Sequence, residues 1–257
     1  MIVSNIDRST MYEAVRHNFD EARLDVYALE IGVLRGENAS SILSSISPKK
    51  MALLDLWSSS AICSALYSRA EKRPWLRSPA SLSRYFGGDI RTQETFDTMH
   101  QGVLKKFAED DRVTVIRGST SDWSDHSPSG LYNFIYLDAS HQYEDVLDDL
   151  IAIDSHAADR CIIQLNDCLT SSKGHSQNIG VLEAASHFLK LCDWKPLLLG
   201  AQDNDLIVAR GFPDIITCFE AFFESRNLWH VRIPNGLLAS GFRNDKGSIS
   251  FEGFDYT

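Results

Sequence analysis

Asp138 and His141 stand three residues apart in the stretch NFIYLDASHQYEDVLDDL, directly after the apolar run Phe134–Leu137. A carboxylate and an imidazole at that spacing can pass a proton between them, and histidine is the side chain best suited to accept one near neutral pH. Asn166 and Asp167 follow a second apolar run, Cys161–Leu165. If those two runs are neighbouring strands, the oxygens of Asp138, Asn166 and Asp167 converge on one point. Hard oxygen donors with positions left open for water or substrate suit Mg²⁺ rather than zinc. A third group lies in LEIGVLRGENAS, where Gly32 and Gly36 allow a sharp turn and a close approach to the main chain. A pyrophosphate-binding turn needs a third glycine, and Leu34-Arg35 stand in its place. Glu30 puts a negative charge there, which repels a phosphate and suits a ligand with positive charge. Asp55, in LLDLW, lies 25 residues beyond Glu30, where an acid can accept hydrogen bonds from ribose hydroxyls.

These residues need elements to hold them, and the hydrophobic pattern supplies an alternation. Val26–Ile31, Met51–Leu56, Val113–Ile116, Phe134–Leu137 and Cys161–Leu165 are short apolar runs that predict strands. Between or after them, Ala39–Ile46, Thr92–Ala108, Tyr143–Ile153 and Val181–Leu191 have helical spacing. In the third of these helices Val146, Leu147, Leu150 and Ile153 face inward and Asp145, Asp148 and Asp149 outward. Lys195–Leu199 and Leu206–Ala209 predict an antiparallel hairpin with its turn among Asp203, Asn204 and Asp205. Strands that are apolar throughout and alternate with helices mean a parallel sheet covered on both faces. In such a sheet ligands bind outside the carboxyl ends of the strands, and Glu30–Gly36, Asp55, Gly118-Ser119, Asp138–His141 and Asn166-Asp167 all fall there. Five strand ends carrying polar groups are hard to explain by packing.

The chain has 257 residues, 44% of them hydrophobic and 23% charged, as expected for one large globular domain. Its net charge of -10 argues against nucleic acid and anionic membranes as partners, since both require a basic face. No apolar run nears the ~20 residues of a membrane span. The first residues, MIVSNIDRSTMYEAVRHNFDEARLD, predict a helix and lack the charged-then-apolar pattern of a leader. Five dispersed cysteines without C-x-x-C fit reduced thiols, and a cytoplasmic location is expected. Cys161, Cys168 and Cys192 are read as packing residues. Two segments break the alternation. Ser58–Ile90 is rich in Ser, Arg and Pro and reads as a lid or substrate insertion. Residues 211–257 contain an aromatic helix candidate, CFEAFFES, and then a loop-rich end that would cap the site or make a subunit contact.

LEIGVLRGENAS, LLDLW and the fourth-strand stretch together resemble the class I S-adenosylmethionine-dependent methyltransferases. The similarity is strongest to the branch with the macrocin- and mycinamicin-type sugar O-methyltransferases and the cephalosporin-biosynthesis methyltransferases. It runs from about Val26 to about Leu191. The resemblance implies a Rossmann-like, doubly wound, seven-stranded α/β sheet with its last strand antiparallel, over residues 1–210. It implies that Glu30, Gly32 and Gly36 line the methionine end of S-adenosylmethionine, that Asp55 holds the ribose and that Ser119 sits near the adenine. Asp138 belongs to the same cofactor set, and Trp57 either stacks on the cofactor or fills a lid contact. Asp138, Asn166 and Asp167 would hold Mg²⁺ against vicinal oxygens of a hydroxylated small molecule, with His141 as base. This sequence departs from the resembling ones at Asn166, an amide where they carry an acid, and at Cys168, where they carry an aromatic residue. The amide removes one negative charge from the metal set.

The reading is therefore an O-methyltransferase of a small metabolite, a sugar or glycosylated natural product, assisted by a divalent ion. Its alternatives are a metal-independent methyltransferase with His141 as base alone, a nicotinamide-dependent oxidoreductase, and a non-catalytic partner subunit of the same fold. The oxidoreductase needs a third glycine and a Tyr/Lys or Ser catalytic set that the sequence lacks. His126, in SDHSPSG, reads as a solvated turn residue, whereas His175, in SSKGHSQN, borders the substrate side and stays a rival base. The resembling enzymes are often dimers or larger, so a homo-oligomer is expected.

Overall fold

The structure is a computed structural model and describes residues 1–70, 79–123, 130–172, 174, 179–251 and 254–256. In chain order its strands are β1 Ile2–Ser4, β2 Tyr27–Ile31, β3 Lys50–Asp55, β4 Val113–Arg117, β5 Phe134–Leu137, β6 Cys161–Leu165, β7 Thr170–Ser171, β8 Lys195–Gly200, β9 Asp205–Arg210, β10 Val231–Arg232, β11 Gly241–Arg243, β12 Ile249–Phe251 and β13 Phe254–Tyr256. The helices are α1 Arg8–Glu21, α2 Glu37–Ser45, α3 Ser59–Ala70, α4 Pro79–Phe86, α5 Gln93–Lys106, α6 Tyr143–His156, α7 Val181–Leu191 and α8 Ile215–Ser225. None of the described helices is long and apolar enough to cross a membrane.

The central sheet has the order β10-β1-β8-β9-β6-β5-β2-β3-β4. Its seven strands from β8 to β4 are the expected set, all parallel except β9, which runs antiparallel to both β6 and β8. Two short strands extend that sheet at the β8 edge. Residues 2–4, which the sequence assigned to a helix, pair in parallel with β8, and β10 closes the edge in antiparallel register. The run Met1–Ser4 is buried throughout, so tertiary burial decides its conformation against the helical pattern that follows it.

β5 and β6 are fully buried along their length, as central parallel strands must be, and they carry no alternation. On one face of the sheet Tyr12 of α1 meets the rings of Phe134 and Tyr136 edge-on, each with centroids 6.1 Å apart. On the other face α6 and α7 bury Val146, Leu150, Ile153, Leu182, Ala185 and Phe188. The register fixes the level of the site. Leu137 of β5 faces both Ile31 of β2 and Leu165 of β6, so Gly32, Asp138 and Asn166 all emerge at one height.

The insertion after β3 contributes α3 and α4. Arg35 of the glycine turn donates to the Tyr85 carbonyl at 3.0 Å, tying α4 to the site's rim. The tail is more ordered than its sequence suggested. After α8 it builds a second sheet, β13-β12-β11-β7, whose innermost strand β7 lies just beyond Asp167.

Candidate active site

The turn between β2 and α2 is shaped by three residues at positive φ, Gly32 at 88°, Leu34 at 53° and Gly36 at 72°. A Cβ at Gly32 would lie 2.2 Å from the Asp138 carbonyl oxygen, so only glycine lets the turn pass this close to the end of β5. Lys106 holds the Gly36 carbonyl at 2.7 Å. Asp55 stitches the turn to β3. Its Oδ2 accepts from the amides of Val33 and Leu34, both at 2.9 Å, and its Oδ1 from the amide of Trp57 at 2.8 Å. Two carboxylate oxygens offer about four acceptor positions, so these three bonds leave room for one hydroxyl donor. Beside it Leu56 is 46% exposed, an apolar surface among polar strand ends that no sequence pattern singles out.

Trp57 supports the turn from below. Its indole is buried, donates to the Leu34 carbonyl at 2.9 Å and packs on His100. In this structure the indole is part of the packing beneath the turn. Leu34 and Trp57, like Asp167 at φ 51°, are non-glycine residues in left-handed backbone at the carboxyl edge of the sheet, where strain of this kind collects around functional groups.

Glu30 is placed differently from expectation. Its side chain lies beneath the turn, 1% exposed, with Oε1 accepting from Asn38 Nδ2 at 3.0 Å and Oε2 without a partner among the described residues. Asn38 in turn accepts from the Tyr12 hydroxyl at 2.6 Å. Burial pushes the Glu30 carboxyl up to about 8, so near neutral pH it holds its proton and presents no charge to a ligand. Ser119 caps the turn after β4, donating its hydroxyl to Asp122 at 2.7 Å.

His141 stands between the ends of β5 and β6. Its Nε2 lies 3.3 Å from Asn166 Oδ1, 3.4 Å from Asp138 Oδ1 and 3.6 Å from Asp167 Oδ2. Its own carbonyl accepts from the Gly180 amide at 2.8 Å, which fixes the loop against the start of α7. The three oxygens expected to converge do converge, and the point they share is filled by the imidazole nitrogen. Among the described residues no group of three His, Cys, Asp or Glu side chains is arranged to hold a metal ion. In this geometry an imidazole nitrogen, which is not a hard oxygen donor, occupies the place where the three oxygens meet. Asp138, about a third exposed at its surface but enclosed by the strand ends, is pushed up to about 7 by desolvation, against the pull of His141 and Arg8.

Beneath this layer lies a residue that the sequence assigned to a hairpin turn. Asp205 begins β9 and is fully buried. Because β9 is antiparallel, its first residue sits at the same edge as the last residues of its neighbours. Arg8, at the start of α1, grips Asp205 with Nε at 2.8 Å and Nη2 at 3.2 Å, while Gln164 Nε2 donates at 2.7 Å and Asn166 Nδ2 at 3.1 Å. Burial pushes the Asp205 carboxyl up, and these partners pull it back. The carboxylate can only accept, so it fixes the Asn166 amide with nitrogen inward and oxygen toward His141. Asn166 Oδ1 is itself an acceptor, which puts the imidazole proton on Nε2 and leaves Nδ1 with the free lone pair.

Two of the three acids expected on the wet face of α6 are engaged instead. Asp145 accepts from Ser140 at 2.6 Å and Asp149 from Thr120 at 2.6 Å, and burial pushes Asp149 up to about 6. Cys161 and Cys168 are buried as expected. His126 and His175 lie outside the described residues.

A family described as a methyltransferase domain matches residues 29–168, which span the glycine turn, both strand ends and His141. No curated protein matches the chain. Among solved structures, a Staphylococcus aureus protein assigned as a caffeoyl-CoA O-methyltransferase superposes with a TM-score of 0.50 at 12% identity, over 80% of this chain and 85% of that one. An O-methyltransferase from Bacillus cereus in complex with SAH gives 0.47 at 12%, over 80% and 82%. Spermidine synthase from Thermotoga maritima gives 0.48 at 10%, over 91% and 70%. At such identities the likeness concerns the fold.

Proposed function

The chain belongs to the methyltransferase-domain family, whose members depend on S-adenosylmethionine, and from that premise we propose that it is an O-methyltransferase that activates a hydroxyl of a small metabolite with His141 and without a metal ion. S-adenosylmethionine, when bound, supplies an electrophilic methyl group and leaves as S-adenosylhomocysteine. The residues present suit it. The turn is half-buried at Gly32, at the carboxyl edge of the sheet, Asp55 retains one acceptor position for a ribose hydroxyl, and Leu56 offers an apolar surface for a purine.

The observation that carries the reading is the seat of His141. With Nε2 donating among Asn166, Asp138 and Asp167, its Nδ1 carries the lone pair and has no partner among the described residues. Nδ1 takes the proton of the acceptor hydroxyl. The three surrounding oxygens stabilise the imidazolium that forms, as a carboxylate does beside any histidine base. The new C–O bond forms as the C–S bond of the cofactor breaks, so the protein's remaining task is to align two reactants. An ion-assisted version, the reading first suggested by the resemblance, requires His141 to leave the space between the three oxygens.

The acceptor we favour is a sugar or a glycosylated natural product, as in the sugar O-methyltransferase branch, rather than a nucleic acid or a lipid surface. A cytoplasmic homo-oligomer is the state that goes with it. The nicotinamide reading loses its support with the family match, and a silent partner subunit would have no use for an oriented base.

Calorimetric titration with S-adenosylhomocysteine, with NAD as control, tests the premise. Micromolar binding of the first and none of the second is expected. His141→Ala is then expected to keep that affinity while losing about 10²–10⁴-fold in turnover. Retained turnover would remove His141 from the reaction.

A further inference from the structure

The tail beyond residue 211 lies outside the matched family segment, yet its second sheet is built onto the site. β11 pairs in parallel with β7, Phe242 opposite Thr170 and Arg243 opposite Ser171, four residues beyond Asp167. The Arg243 side chain reaches the other way, to the segment that leads into Asp205. Its Nη1 donates to Asn204 Oδ1 at 3.0 Å and to the Gln202 carbonyl at 3.3 Å. Asn204 also accepts the Cys168 amide at 2.7 Å through its carbonyl. The guanidinium is thus held by the segment that leads into Asp205, which is itself bonded to the residue after Asp167.

Between these parts lies a cavity of about 380 Å³. Asp167, Ser171, Asn204, Arg243, Asn244 and Asp245 form its polar wall, and Leu169 and Ile179 contribute apolar surface. Asp167 belongs to two places at once, lining the cavity while its Oδ2 stands 3.6 Å from His141. A molecule seated in the cavity therefore touches a side chain that also touches His141. Donors are available there. Among the described residues only Nη1 of Arg243 is engaged, and Asn244 uses its Oδ1 to cap the hairpin amides of Lys246 and Ser248, which leaves its Nδ2 for a ligand. Fixed donors on the tail facing a fixed acceptor on β6's end match a ligand whose groups both give and take hydrogen bonds, that is, one with several hydroxyls. No aromatic side chain lines the cavity among the described residues, so it offers no face for a flat phenolic ring.

We propose that this cavity is the methyl-acceptor subsite and that Arg243, a residue of the tail, is its specificity-determining donor. The inference rests on the methyltransferase reading and adds to it a place and a residue. Arg243 orients an oxygen of the acceptor neighbouring the one that is methylated, so that the reacting hydroxyl is presented past Asp167 to the Nδ1 side of His141. The tail is then a wall of the active site and not an appendage to it.

The test is saturation-transfer NMR on the full chain loaded with S-adenosylhomocysteine, using methyl α-D-glucopyranoside and methyl β-D-xylopyranoside as probes and catechol as the contrasting one. A transfer signal for a glycoside and none for catechol is expected. In Arg243→Ala the glycoside signal is expected to fall at least fivefold, with S-adenosylhomocysteine affinity unchanged within twofold. Arg243→Lys, which keeps a charged donor and disturbs the sheet less, should fall between. Equal signals in all three proteins, or a signal for catechol alone, would overturn the subsite, and so would silence from both glycosides on loaded protein. If the wild-type chain fails to bind S-adenosylhomocysteine at all, it is the methyltransferase reading that fails.

Discussion

Asn166 turns its amide nitrogen to Asp205, 3.1 Å away, and so turns its oxygen to His141. An amide is the one group that can serve both neighbours, donating to a buried carboxylate on one side and accepting from an imidazole on the other. Asn166→Asp removes the donor and sets two carboxylates against each other in a buried place. One of them must protonate or the strand end must open, at a cost of about 2 kcal/mol. The same change completes an acidic pair beside Asp138. Mg²⁺ at millimolar concentration is therefore expected to raise the melting temperature of the variant by several degrees and to leave that of the wild type where it is. A wild-type shift as large as the variant's would restore the ion-assisted mechanism.

Asp205→Ala probes the layer below. It leaves the Arg8 guanidinium without its carboxylate and Gln164 without the acceptor of its amide. Removing one partner of a buried pair costs roughly 3–5 kcal/mol. Because the Arg8 side chain keeps 27% of its surface exposed, about 2–3 kcal/mol is the better expectation. Urea unfolding gives the number directly. The double variant Arg8→Met with Asp205→Ala should recover part of the loss, since the stranded charge is gone.

Most of the parallel sheet was legible because its strands are apolar from end to end and end in Gly, Asp or Asn. Phe134–Leu137, Cys161–Leu165 and Val181–Leu191 coincide with β5, β6 and α7. What the pattern could not carry was which residue of a turn ends up under the site. Asp203-Asn204-Asp205 has the composition of a turn, and only antiparallel pairing with β6 turns its last residue into the floor of the site. The burial of Glu30 was hidden for a related reason. Alternation along β2 sends its side chain into the face shared with Ala28, beneath α2, while the sequence shows only that it precedes a glycine turn. The tail's strands are two or three residues long, too short for any period to show.

Gly32→Ala tests the turn itself. The added methyl would meet the Asp138 carbonyl at 2.2 Å and the backbone would be held at φ 88°, so strain and overlap act together. A loss of about 3 kcal/mol or more in stability is expected, together with loss of S-adenosylhomocysteine binding. Gly102→Ala is the matched control, because nothing lies within 4 Å of a Cβ there. It sits inside α5, and a gain of up to about 1 kcal/mol is expected from helix propensity. Chemical denaturation of the two variants side by side separates a special position from a general sensitivity to alanine.

The buried carboxyls make a prediction about pH whose direction is fixed by burial. Glu30 is raised from 4.5 to about 8, Asp138 to about 7 and Asp149 to about 6, each chiefly by desolvation. Above pH 4.5 the unfolded chain gives up its Glu30 proton while the folded chain keeps it, so every further rise favours unfolding until the folded group also ionises. The contribution is full below about pH 4.5 and is lost as pH climbs to about 8. Stability measured by urea is thus expected to fall by roughly 1 kcal/mol per pH unit between pH 5 and 8 from Glu30 alone. Glu30→Gln has no proton to lose. Its amide nitrogen can take the place of the partnerless Oε2 while its oxygen still accepts from Asn38. The variant's stability should be nearly flat over the same range, overtaking the wild type on the alkaline side. Parallel slopes for the two proteins would mean that Glu30 is ionised in the fold and that the orphaned oxygen has found a donor.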